Sequence, residues 1–184
     1  MTSKEILTKL GACPNAIAWI GDMTPAEGWE RCERGDWMLW FAVMIGVDRK
    51  IVVRTTCACG RQSLQYVPAG EDQPRITIET TEKWCDGNAT LEEVIAAADA
   101  VVEAAAWAAD AVALAALAAE AAGTAGAALA AGAAEAAALA AGAVEAAWAA
   151  GAAEAASLKS SADIVRHMIP VEMILDQLEK YCHD

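Results

Sequence analysis

Six cysteines, two histidines and a cluster of acids are the residues whose types could do chemistry in this chain. Structural zinc sites space paired ligands about two to four residues apart and then repeat the pair. Of the central cysteines Cys32, Cys57, Cys59 and Cys85, only Cys57-Ala58-Cys59 forms a close pair, with one residue between the thiols. On a helix those two thiols would diverge by about 200°. No metal site is therefore expected, nor any cofactor, and the four read as small buried apolar residues. His167 falls four residues after Asp163, the spacing of a helix-surface pair. No glycine-rich nucleophile elbow accompanies it, so no catalytic residue is assigned. Glu27, Glu30 and Glu33 fall along one helical edge around Trp29 and Cys32. An exposed acidic face accounts for them, and a carboxylate pair for acid chemistry or a divalent cation is the alternative. The glycines at 123, 126 and 132 lie among alanines with no strand before them, so no phosphate-binding loop is present.

What remains is binding. Seven Trp against one Phe and two Tyr make indole the main large packing group. Trp19, Trp29, Trp37, Trp40 and Trp84 suit a common core. Alternatively Trp29, Trp37 and Trp40, joined by Arg31, Arg34 and Arg61, line a pocket for an anionic ligand such as a nucleotide. The formal net charge of −13 disfavours a nucleic-acid backbone. Its distribution is uneven: residues 91–158 hold nine acids and no Lys or Arg, while the first ninety hold ten bases against twelve acids. Such an acidic limb is a solvated face or a docking surface for a basic partner. Asp99, Glu103 and Asp110, with Trp107 among them, are the candidate partner-binding residues.

The elements that must position these residues are helical. Ser3 is expected to cap a first helix carrying Ile6, Leu7 and Leu10, and Pro14 to open a second. Thr24-Pro25-Ala26-Glu27 combines an N-cap, Pro at the first helical position and a capping-box Glu. Gly35-Asp36 breaks and caps before the all-apolar run Trp37 to Ile45, which reads as a buried helix. Asp48 opens a longer helix, although Ile51-Val52-Val53 would also suit a strand. Ile76 and Ile78 leave the same choice open in the segment from Arg75 to Trp84. Thr90-Leu91-Glu92-Glu93 is a capping box for a helix whose apolar stripe is Val94, Ile95, Val101, Val102 and Val112. Gly123-Thr124-Ala125-Gly126 is the expected turn of an antiparallel hairpin, with a second helix from Ala127 to Leu158. Lys159-Ser160-Ser161 is expected to break the pattern before a short segment, and Pro170 to start the last helix.

No membrane span is expected in the alanine tract, because acids interrupt every window of about 20 residues. The polar opening Met1-Thr2-Ser3-Lys4-Glu5 is no secretory signal, so free thiols and a cytoplasmic location are expected.

Three stretches carry a family resemblance. Trp29-Glu30-Arg31-Cys32-Glu33-Arg34-Gly35-Asp36-Trp37-Met38-Leu39-Trp40, Thr56-Cys57-Ala58-Cys59-Gly60-Arg61 and Ile78-Glu79-Thr80-Thr81-Glu82-Lys83-Trp84 resemble segments of the immunity protein domains related to the fifth toxin-immunity family of bacteria and phages. The segment Ala162-Asp163-Ile164-Val165-Arg166 is similar to the closing part of that family. The tail departs from the tyrosine-punctuated repeat associated with it, holding Trp107 and Trp148 instead. The resemblance implies binding and neutralisation of a toxin or defence effector, without naming it. The expectation is then one all-α domain: a helical body over 1–90, an acidic Ala-rich antiparallel helical hairpin over 91–158, and C-terminal helices over 159–184 that pack back on the body. It would be a non-enzymatic binding protein with a protein partner. A nucleotide-sequestering protein and a structural homo-oligomer are the alternatives.

Overall fold

The computed structural model describes residues 1–67, 69–70, 72–104 and 150–183. They form nine α-helices: α1 (Ser3–Leu10), α2 (Pro14–Ile20), α3 (Pro25–Arg31), α4 (Gly35–Met44), α5 (Arg49–Arg61), α6 (Gln73–Cys85), α7 (Leu91–Ala104), α8 (Ala150–Met168) and α9 (Val171–His183). A 3-10 turn (Gln62–Tyr66) extends α5, and no strand occurs among the described residues. The hairpin turn expected at 123–126, and with it Val112, lies outside the described residues.

Local chemistry sets the helix starts. Thr24 and Glu27 close a reciprocal capping box at α3, and Thr90 with Glu93 does the same before α7. At α1 the cap is Thr2, one residue earlier than expected. Its hydroxyl accepts from the Glu5 N–H while its own N–H donates to the Glu5 carboxylate. Gly11 ends α1 at φ 78°, a left-handed conformation that glycine adopts without steric cost. Gly35 starts α4 rather than breaking before it, with Arg34 as the N-cap residue.

Helix α5 separates two cores. Val52 and Cys59 belong to the larger one, with Ile6, Leu10, Leu39, Val165, Ile174 and others. Val53 and Cys57 belong to the smaller one, with Ile78, Cys85, Val94 and Ala98. The angular divergence of Cys57 and Cys59 is thus what lets one helix feed both cores. Both β-branched segments are helical. In α5, burial on two sides outweighs strand propensity, and Thr55 and Thr56 satisfy their buried hydroxyls on the carbonyls of Ile51 and Val52. In α6, Thr77 and Thr81 do likewise on Gln73 and Thr77.

Two expectations fail for packing reasons. Residues 159–161 do not interrupt a helix, because α8 runs unbroken from Ala150 to Met168. The small residues there let α8 cross α4 closely: a Cβ on Gly35 would stand 2.7 Å from Ser161 Cβ and 2.8 Å from Ala162 N. Ile95 does not share the buried stripe of α7. Val94 is wholly buried while Ile95 is 44% exposed, since α6 covers only the narrow face holding Val94 and Ala98. No described helix is long and apolar enough to cross a membrane.

Candidate functional site

The segment from Trp29 to Trp37 joins α3 to α4, and most of its polar groups serve the fold. Trp29 is almost fully buried and its indole N–H donates to the Ile169 carbonyl at 3.1 Å. In return the Arg166 guanidinium donates to the Cys32 carbonyl at 2.6 Å, at the end of α3, where helix carbonyls lack intrahelical donors. Lys159 reaches Glu33 at 2.6 Å, and the Cys59 thiol donates to the Ser161 carbonyl. Glu27 is used in its capping box. The expected Asp163–His167 pair does not form, because Asp163 accepts from Arg166. His167 is exposed.

The candidate arginines do not form one cluster with the candidate tryptophans: Arg34 meets Trp37, and Arg61 is held on α6. Arg34 grips Asp36 through two hydrogen bonds and lies over the Trp37 ring, 4.7 Å from its centroid. Asp36 is buried in the first turn of α4, where the helix dipole also favours its charge. Arg61 lies on the far side of α5, gripping Glu82 of α6 with Nε donating at 2.8 Å. Its neighbour pairs repeat the theme: Arg54 bonds Asp86, and Arg49 and Lys50 approach the Trp84 ring. Arg31 is exposed. The Arg61 and Trp84 positions therefore stitch α5 to α6 and stand apart from the other tryptophans.

The remaining tryptophans do converge. Trp19, Trp29, Trp37, Trp40 and Phe41 line a cavity of about 70 Å³ between α1, α2, α3 and α4. Trp19 meets Trp37 edge to face with centroids 6.1 Å apart, and Trp29 meets Phe41 at 6.4 Å. Trp19 is not part of the core: 38% of it is exposed, at the rim. None of Arg31, Arg34 or Arg61 lines the cavity, and among its described lining residues there is no charged side chain. The cavity thus offers apolar surface and aromatic edges, and no counter-charge for a phosphate.

Ser3 and Phe41 are among the cavity residues that escaped the reading of the chain alone. Ser3 passed for a cap, and Phe41 for one apolar residue of a uniform run. The i, i+3, i+4 spacing of Ser3, Ile6 and Leu7 does put all three on one side of α1, but only the placement of α2 and α4 makes that side a wall.

The cysteines are all free: Cys32, Cys57, Cys59 and Cys85 buried, Cys13 and Cys182 exposed. Burial pushes the Cys32 thiol up to about 11 and Cys59 up to about 12. It raises Cys57 and Cys85 as well. These four hold their protons and lack thiolate character. No group of three potential metal ligands occurs among the described residues. Of the candidate partner-binding residues, Asp99 and Glu103 fall on α7 with their side chains outside the description, and Trp107 and Asp110 lie outside the described residues.

Comparison of the chain with protein-family models, with curated proteins and with solved structures returns no match.

Proposed function

We propose that this chain is a non-enzymatic binding protein of the immunity type, acting in the cytoplasm and neutralising a toxin or defence effector by direct contact. The observation that carries the reading is the apolar, Trp-lined cavity with Trp19 at its rim. Large indoles at a partly open apolar site are the residues that anchor protein interfaces. The groups suited to chemistry are occupied or protonated: Arg34 and Arg61 are held by carboxylates, and the buried thiols keep their protons. A net charge of −13 adds long-range attraction for a basic partner. The resemblance of residues 29–40 to immunity domains supports the same class of activity.

The test is neutralisation. Tagged full-length chain is used to capture its partner from the native host, and the captured protein is expressed with and without this chain. Rescue of growth by the wild-type chain, lost when Trp19 and Trp37 are changed to alanine in a variant that keeps its helicity, is the expected outcome. A captured protein that is harmless alone, or rescue untouched by those changes, refutes the proposal. Reversing Asp99, Glu103 and Asp110 to lysine in parallel measures what the acidic limb adds.

A further inference from the structure

Helices α5 and α6 run antiparallel, and two ion pairs fix their register. Arg54 donates to Asp86 at 2.7 Å, and Arg61 Nε donates to Glu82 at 2.8 Å. Cys57 lies between the two arginines, three residues after the first and four before the second, so all three share one side of α5. Cys85 lies between the two carboxylates, three residues after Glu82 and next to Asp86. The register therefore sets Cys57 opposite Cys85. Both are buried in the smaller core with Val53, Ile78 and Val94, and both are free thiols. Burial is the first cause that holds the Cys57 proton, and the nearby Cys85 is the second.

The two thiols are not equivalent. Cys57 has no exposed surface, whereas Cys85 ends α6 and is 5% exposed. Burial raises the Cys85 thiol, but Arg54 and Lys50 act against it, because cations beside a sulfur favour its ionised form. Cys85 is thus the sulfur that a small oxidant meets first, with Cys57 behind it. The other buried thiols do not compete, because Cys59 and Cys32 belong to the larger core.

We propose that Cys57 and Cys85 are a redox-sensitive pair, closed by a hydroperoxide into a disulfide that staples α5 to α6. The Cys85 sulfur attacks one peroxide oxygen and the O–O bond breaks, giving a sulfenic acid. With hydrogen peroxide the other oxygen leaves as water, carrying the thiol proton. The Cys57 sulfur then attacks the Cys85 sulfur, the S–O bond breaks, and the departing hydroxide takes the Cys57 proton as a second water. Together the two sulfurs lose two electrons, and the peroxide is reduced to water. Both thiols keep their protons at neutral pH, so the pair is slow and answers sustained oxidation, as transient sensing disulfides do in reducing compartments. Closure ties the smaller core, and α7 with it, to the helix that feeds both cores. The proposal does not depend on the binding reading above.

The test uses the full-length chain carrying Cys13→Ser and Cys182→Ser, which removes both exposed thiols. It is treated with hydrogen peroxide, and the product is mapped by peptide mass spectrometry with and without dithiothreitol. The expected product is monomeric and lighter by two hydrogens, with Cys57 joined to Cys85 and with Cys32 and Cys59 still reduced. Its urea midpoint should lie above that of the reduced chain and return to it with dithiothreitol, since the bridge restricts the unfolded chain. Cys59→Ala should leave the bridge intact. In Cys57→Ala, dimedone should trap Cys85 as its sulfenic acid. Circular dichroism reports whether each variant is folded, and the map of the double-serine chain carries the test alone where one is not. Cys57 and Cys85 still reduced when the exposed thiols of the wild-type chain are fully oxidised would overturn the proposal. A bridge through Cys32 or Cys59 would do the same, as would an oxidised chain with a lower urea midpoint than the reduced one. Dimedone on Cys57 in Cys85→Ala, with none on Cys85 in Cys57→Ala, would also overturn it.

Discussion

At the crossing of α3, α4 and α8, polar groups are consumed by the fold. Arg166 closes the end of α3, Trp29 donates to Ile169, Lys159 meets Glu33, and Gly35 lies against Ser161 and Ala162. Beside α1 and α2 the same stretch of chain lines an apolar, aromatic cavity with no charged side chain among its described lining residues. Trp29 belongs to both regions, its N–H in the joint and its ring in the cavity wall. The contrast teaches that a residue's chemical type does not mark it as functional. Charged groups in the joint are spent on one another, whereas availability lies with the apolar rings. Mutations in the joint should therefore cost stability, and mutations in the cavity should cost binding.

Gly35→Ala should break the joint most severely. The added methyl would meet backbone atoms of α8 that cannot rotate away, so α4 and α8 must separate, at about 3 kcal/mol. Urea unfolding measures this, and a wild-type midpoint would mean the close crossing does not exist. Arg166→Met keeps the aliphatic bulk and removes the donor. With the Cys32 carbonyl left unpaired, a loss of about 2 kcal/mol is expected in the same assay.

The thiols of the joint predict an intermediate, pH-dependent effect. Burial raises Cys32 from 9.0 to about 11 and Cys59 from 9.0 to about 12. Below about pH 9 both the folded and the unfolded chain keep these protons, and the thiols' contribution is fully present. As pH climbs from there toward 11 and 12, the unfolded chain releases protons that the folded chain retains. Stability must fall across that window. The urea midpoint should decline from pH 9 to pH 11, and more shallowly in a Cys32→Ala, Cys59→Ala double variant. An equally steep decline in that variant would place the alkaline sensitivity elsewhere.

Trp19→Ala sharpens the contrast from the other side. The residue is 38% exposed and makes one edge-to-face contact, so its loss should cost about 2 kcal/mol of stability from buried indole area and the ring pair, while abolishing partner capture. A stability loss as large as that of Gly35→Ala would erase the distinction between the two regions. Smallest of all is Arg61→Gln, which breaks a partly exposed pair with Glu82. About 0.5 kcal/mol is expected, shrinking further in high salt.

Much of the helical frame was legible from the chain, because caps and breakers act within a few residues. The Thr24 and Thr90 capping boxes, the Pro14 and Pro25 starts and the Asp48 cap each rest on contacts no more than four residues apart. The failures share one cause. Ser160 and Ser161 looked like a break, Ile95 like core and Arg31, Arg34 and Arg61 like one cluster, and each expectation depended on which helix lay alongside. The convergence of Trp29, Trp37 and Trp40 could be anticipated, but the capture of Arg34 by Asp36 and of Arg61 by Glu82 could not.

Composition, periodicity and capping chemistry thus determined by themselves that the described chain is helical and where most helices begin, since those preferences are set by backbone geometry and near neighbours. Tertiary structure alone decided that Cys57 and Cys59 face different cores, that α8 presses on Gly35, and that Trp19, Trp29, Trp37 and Trp40 line one cavity. Each of these joins residues far apart in sequence, and only the packing of one helix on another brings them within contact distance.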